Sequence, residues 1–154
     1  MKGILERVVE RRYGVPVVRH EDGLVVRRWG DGTPAKAVLY YQSESRMVPS
    51  LGSRGLDEIY GDCLGGFLAS GALKIAISKQ NCSPSLYQLE ELRQQPEVRD
   101  ALSLDSDVQY FMDAANVWFY GEKNGMLVAY DSETGDIYPL GSTEEALRHL
   151  LDEC

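Results

Sequence analysis

Residues 116–151 read NVWFYGEKNGMLVAYDSETGDIYPLGSTEEALRHLL, and the turn residues in that run divide it into three strands and a closing helix. Val117–Gly121 is apolar and aromatic, and Lys123-Asn124-Gly125 supplies residues that tolerate positive φ in a hairpin. Met126–Tyr130 gives a second apolar strand, Asp131–Gly135 a longer turn ending in glycine, and Ile137–Leu140 a third strand. Ser142 or Thr143 then caps a helix. With Ser142 as the cap, Glu145 stands at the N3 position of a capping box. Ala146, Leu147, Leu150 and Leu151 give that helix one apolar face.

The rest of the chain is mixed α and β, with no internal repeat and no low-complexity linker. Ile4–Arg12 reads as a short helix, with Ile4, Leu5, Val8 and Val9 on one side and Glu6, Glu10 and Arg11 on the other. Val15–Val18 and Leu24–Arg28 read as strands around a Glu21-Asp22-Gly23 turn, and Ala35–Gln42 as a third. Gln42–Arg54 is a polar loop. Leu56, Ile59, Tyr60, Cys63, Leu64, Phe67 and Leu68 fall at helical spacing, so a helix is expected over Leu56–Ser70, interrupted by Gly65 and Gly66 and ended by Gly71. Leu73–Ile77 follows as a strand. Ser83-Pro84 starts another helix, which Pro96 breaks after Gln95. Pro96–Leu102 is a further turn of helix, and Val108–Ala115 is open between helix and loop.

A chain of 154 residues with 44% apolar composition and two Trp has enough material for one domain with a substantial core. No apolar run approaches ~18 residues, so no membrane-spanning helix is expected. Charges interrupt every short apolar run of MKGILERVVERRYG, unlike a secretory signal. Cys63, Cys82 and Cys154 are scattered without metal spacing, which suits free thiols in a reducing cytoplasm.

The net charge of −8 is unevenly spread: residues 1–46 balance at +3 and residues 47–154 at −11. A surface that acidic repels a phosphate backbone, so no nucleic-acid partner is expected. It serves solubility, and it equally suits a basic protein partner; charge alone leaves both open.

Catalytic patterns are missing. The sequence holds no HExxH, paired CxxC, Walker loop or GxSxG. Cys63 lies on the apolar stripe and reads as core. Asp131, Glu133 and Asp136 surround one turn, but their spacing does not fit a calcium loop, and a solvated acidic turn explains them. Gly61–Gly66 does not follow a predicted strand, as a phosphate loop would. Arg7, Arg11, Arg12 and Arg19 form a modest basic cluster that a solvated face explains. No catalytic, cofactor or metal residue is assigned. A triad dispersed along the chain would leave no local pattern, so a small enzyme stays open as an alternative.

From residue 56 onward the order of elements resembles the SUKH superfamily, the Smi1/Knr4-like group that includes yeast cell-wall regulators and many bacterial immunity proteins. Tyr60-Gly61-Asp62-Cys63-Leu64-Gly65-Gly66-Phe67-Leu68-Ala69-Ser70-Gly71 is similar to that family's helix with an aromatic and a Phe-Leu pair before a glycine. Leu86-Tyr87-Gln88-Leu89-Glu90-Glu91-Leu92 resembles the segment opening its middle helix, and Trp118 to Leu151 its closing strands. The resemblance covers about three fifths of the chain, and residues 1–54 fit it less well.

What the resemblance implies is an α+β fold, an antiparallel sheet packed by helices, in a single SUKH-like domain over residues 1–154. It also implies a binding module: an immunity protein that neutralises a nuclease or deaminase toxin by stoichiometric contact, or an intracellular scaffold on the same fold. A basic protein partner suits the acidic half, because complementary charge accelerates encounter. Glu122, Asp131, Glu133 and Asp136 are the expected partner-binding carboxylates, since the turns flanking Met126–Tyr130 should project them outward in small clusters.

Overall fold

In the computed structural model of the chain, which describes residues 2–14, 18–21, 36–41, 53–77 and 88–153, every strand lies in one sheet. The elements in chain order are α1 (Ile4–Tyr13), β1 (Val18–Glu21), β2 (Ala37–Tyr41), α2 (Arg54–Tyr60), β3 (Cys63–Leu68) and β4 (Leu73–Ile75). They continue with α3 (Leu89–Gln94), α4 (Pro96–Leu104), β5 (Gln109–Ala114), β6 (Trp118–Lys123), β7 (Met126–Asp131), β8 (Asp136–Ser142) and α5 (Thr143–Glu153). Strand order follows chain order from β1 to β8. The β1–β2 pair is parallel and the seven strands from β2 to β8 are antiparallel to their neighbours. The fold is α+β.

The closing segment follows its turn chemistry. Asn124 and Gly125 take positive φ between β6 and β7, and Gly135 does so between β7 and β8. The Gly135 N–H donates to the Asp131 carbonyl at 2.8 Å. After β8, both the backbone N–H and the hydroxyl of Thr143 donate to the Gly125 carbonyl, at 3.1 and 3.2 Å, tying the start of α5 to the first hairpin turn. Ala146, Leu147 and Leu151 then bury the apolar face of α5.

The long helix expected over Leu56–Ser70 is not formed. The helix starts where the sequence places it, with the Ser53 hydroxyl accepting the Leu56 N–H at 3.4 Å. It stops at Gly61, whose φ of 56° and ψ of −127° lie outside helical space. From Cys63 the chain is a strand buried at all six positions. Full burial removes the alternation that marks a half-exposed strand, so its apolar residues matched a helical stripe by coincidence. Gly65 and Gly66 are required by the sheet: a Cβ on Gly66 would stand 2.0 Å from the Val38 carbonyl oxygen.

Other boundaries also shift. Of the strand read at Val15–Val18 only Val18 lies among the described residues, in β1 (Val18–Glu21), so Glu21 is in a strand and not a turn; among the described strands β1 pairs with β2. The expected strand Leu24–Arg28, most of the 42–54 loop, the helix start at Ser83-Pro84, Cys82 and Cys154 lie outside the described residues. Gln88 is extended and bridges Ile77, so α3 begins only at Leu89. Pro96 does end α3, with Gln95 extended at φ −63° and ψ 140°, and the same proline opens α4. The open segment Val108–Ala115 contains strand β5.

Helices cover both faces of the sheet. Side chains alternate along a strand, so Glu122 and Tyr130 point to opposite faces through the β6–β7 register. Glu122 touches Gly55 of α2, and α2 packs with α1, which packs with α5. Tyr130 lies in the electrostatic field of Glu97 and Asp100 on α4. One layer is therefore α1, α2 and α5, and α4 lies on the other face. Glu6, expected on the polar side of α1, is buried there and accepts a hydrogen bond from the Tyr41 hydroxyl. Arg7 and Arg12 pair with Glu144 and Asp152 of α5 at 3.3 and 3.2 Å, so part of the basic cluster ties the two helices together. Cys63 is buried as expected, on β3 instead of a helix, and its thiol donates to the Gly65 carbonyl at 3.3 Å. No helix among the described residues is long and apolar enough to cross a membrane.

Candidate functional site

The four carboxylates expected to form one surface are separated by the length of β7. Glu122 stands in register with Leu127 at one end, while Asp131 and Asp136 face each other at the other end. With a strand rise of about 3.4 Å per residue, the two groups are roughly 13 Å apart. Glu122 is also not an outward charge. Only 6% of it is exposed, and its carboxylate accepts the Gly125 N–H at 2.7 Å while resting against the first turn of α2. Glu122 alternates with Gly121 and Lys123 across the pleat, so it faces the layer that contains α2, and the turn at Asn124-Gly125 presents an N–H for it to accept. Glu122 holds a hairpin against a helix.

The other three remain at the surface. Asp131 is half-buried and accepts the Glu133 N–H at 2.9 Å, while Glu133 and Asp136 are exposed. Tyr138 donates to Asp136 at 3.3 Å, and its ring lies 6.1 Å from that of Trp118, tilted by 44°. Like charges opposite each other on a strand pair are unfavourable, so the Asp131–Asp136 pairing concentrates negative potential at this turn at some expense of stability.

Two hollows adjoin the β6–β7 turn and share Lys123 and Asn124. The larger, about 570 Å³, is polar and lies between the start of α2 and the turn, with Ser53, Arg54, Glu58, Asp107 and Glu122 among its walls. Its functional groups are mutually engaged. Arg54 pairs with Glu58 at 3.0 Å, Lys123 with Asp105 at 2.7 Å, and the Ser53 hydroxyl serves as a helix cap. The arrangement is a structural joint.

The smaller hollow, about 350 Å³, is an apolar groove formed by Met126, Val128, Ile137 and Pro139, closed at one end by Asp105 and Lys123. The Lys123 hydrogen bond, with help from the Asp107 N–H, holds the Asp105 carboxyl below its ordinary range; Asp105 in turn raises Lys123. Tyr130, in register with Ile137, has its phenol raised by burial and then by Asp100, Asp131 and Glu97. The charged end of the groove is the Asp105–Lys123 ion pair, at 2.7 Å.

Sequence reasoning found the acidic turn and missed this groove. The signal was present in Pro139: a proline inside an apolar strand marks an edge, because it cannot donate to a ladder. β8 is that edge, pairing with β7 alone among the described strands, and its register shifts between Leu127 and Val128. Proline and an irregular register blunt an edge against strand addition. Among the described residues no group of three or more His, Cys, Asp or Glu side chains is placed to hold a metal ion.

No family model matches the chain, and no curated protein or solved structure matches it either.

Proposed function

We propose that this protein is a non-catalytic binding module that engages a basic protein partner stoichiometrically, in the manner of SUKH-type immunity proteins that neutralise nuclease or deaminase toxins. The observation that carries this reading is edge strand β8, where Tyr138 is exposed at 42% beside Asp131, Glu133 and Asp136, with Leu140, 39% exposed, farther along the same strand. Exposed aromatic and aliphatic side chains next to a concentrated charge of one sign are what a protein interface uses for affinity and for steering. The acidic balance of residues 47–154 extends that sign over most of the chain. Toxins acting on nucleic acid are commonly basic, so charge complementarity supports this class of partner.

Co-expression with the products of neighbouring genes tests the reading. A toxic product should lose its effect on growth and co-purify with this protein at one-to-one stoichiometry. If the purified protein instead turns over a nucleotide, peptide or ester many times per molecule, the binding-module reading is wrong.

A further inference from the structure

We propose that the face of β6, β7 and β8 carrying Trp118, Asp131, Asp136 and Tyr138 binds one arginine side chain of the basic partner, its guanidinium against the two rings and its N–H groups on the two carboxylates. This rests on the binding-module reading and names the group that the partner presents.

Register places the four residues on one face. Trp118 stands opposite Asp131, Asp131 opposite Asp136, and Tyr138 lies two residues farther along β8. They share the face of Glu122, on the other side of the sheet from the apolar groove of Val128 and Ile137. Strands β6 and β8 are two strand spacings apart, roughly 9.5 Å, yet the rings of Trp118 and Tyr138 approach to 6.1 Å. Both therefore lean over β7, where Ala129, in register with Tyr138, is small enough to let them meet. The helix layer leaves this end open: Tyr138 and Asp136 are exposed, and Trp118 and Asp131 are half-buried.

Charge supplies the occupant. None of the ion pairs among the described residues uses Asp131, Glu133 or Asp136, so nothing among those residues offsets the repulsion between the two facing aspartates. One oxygen of each is engaged: Asp131 Oδ1 accepts the Glu133 N–H at 2.9 Å, and Asp136 Oδ2 accepts the Tyr138 hydroxyl at 3.3 Å. The second oxygen of each is left to accept from a ligand. Two carboxylates beside an exposed aromatic pair call for a cation that also stacks. Guanidinium meets both demands, being planar, permanently charged and a donor of several N–H groups, whereas ammonium is a compact, strongly hydrated charge.

The probe is the capped peptide acetyl-Gly-Ser-Arg-Ser-Gly-amide, titrated into the full chain at low salt while backbone amides and the Trp118 indole N–H are followed by NMR. Shifts are expected at Trp118, Asp131, Asp136 and Tyr138, with affinity about threefold or more above that of the same peptide carrying lysine. A citrulline peptide, which keeps the shape and loses the charge, should give no shifts there. Tyr138→Ala leaves every carboxylate in place and should bring the arginine peptide down to the lysine level. Asp136→Asn should weaken binding while raising the thermal midpoint, because it relieves the facing charges. Equal binding of the arginine and lysine peptides to the parent, or a preference that survives Tyr138→Ala, reduces the face to a plain acidic patch and overturns the proposal while the binding-module reading stands. The parent comparison decides by itself should a variant not fold. Absence of shifts with both peptides also overturns the proposal, and co-expression judges the binding reading separately. A midpoint lowered by Asp136→Asn would make the aspartate pair a brace of the turn, against the proposal. If the same shifts arise on concentrating the protein alone, a second copy occupies this face and the proposal is wrong.

Discussion

Strands β3 and β7 are both six residues long and apolar through their middles, yet one reads as a helix in the sequence and the other as a strand. What separates them is their boundaries. β7 is bracketed by Asn124-Gly125 and Gly135, each at positive φ in a turn. β3 follows a true helix across Gly61 with no hairpin signal, and its two glycines weaken any strand pattern. Those glycines serve different ends: Gly125 bends the chain in open space, whereas Gly66 lets one backbone pass against another. Turn residues identify a buried strand where periodicity does not.

Gly66→Ala is the most direct way to break this contrast. The new methyl would meet the Val38 carbonyl oxygen, and neither backbone can retreat without opening the sheet. A loss on the order of 3 kcal/mol or more is expected in denaturant unfolding. A variant as stable as the parent would mean that β3 and β2 are not so closely apposed.

Glu122→Ala comes next. It leaves the Gly125 N–H without its buried acceptor and opens a gap against Gly55, at about 1–3 kcal/mol. The midpoint of thermal unfolding reports it. An unchanged midpoint would return Glu122 to the role of a free surface charge.

Gly125→Ala places a methyl in open space but at φ 79°, so only the backbone preference opposes it. The expected cost is about 1 kcal/mol, well below that of Gly66→Ala. If the two substitutions cost the same, the distinction between a turn glycine and a packing glycine fails.

Asp131→Lys, Glu133→Lys and Asp136→Lys together should leave stability nearly unchanged, as expected of surface positions. Association with a basic partner should slow at low salt, with a much smaller effect at about 0.5 M, where screening is strong. Stopped-flow rates at two salt concentrations measure this. Identical rates would move the contact surface away from the β7–β8 turn.

The smallest effect concerns pH. The folded state holds Asp105 ionised below its ordinary value of 3.8, so its contribution is present above that pH and fades as pH falls through the depressed value. Lys123 is raised above 10.5, so its share is complete below that pH and fades as pH rises further. Asp105→Asn should flatten both ends of the stability profile and change its slope little near neutrality. A slope altered around pH 7 would point to a different titrating group.

Much of the fold was legible because local chemistry and global packing agree from β6 to α5. Elsewhere they part. β5 carried no marker, since the turn after it uses Ala115 and Asn116 at positive φ without a glycine. The turn at Ala69 and Ser70 did carry a marker, Gly71 at φ 98°, but in the sequence it reads as the end of a helix. At the candidate site, Asp131, Glu133 and Asp136 were visible as turn residues, but the inward direction of Glu122 follows from the pleat and the position of α2. The apolar groove depends on Asp105 meeting β7 and β8 across the sheet, a neighbourhood that no local window contains.

The unbroken strand order carries a consequence for how the molecule assembles. From β6 to β8 each strand pairs with the one just before it in the chain, across turns of two to four residues, and such short closures cost little entropy and occur early. The α1–α5 contact joins residues such as Arg7 and Glu144, 137 positions apart, and can form only after the sheet between them is in place. Folding should therefore show a fast phase that zips the C-terminal hairpins and a slower one that docks α1 onto α5. Substitutions at Val8 or Leu147 should then speed unfolding more than they slow the first phase.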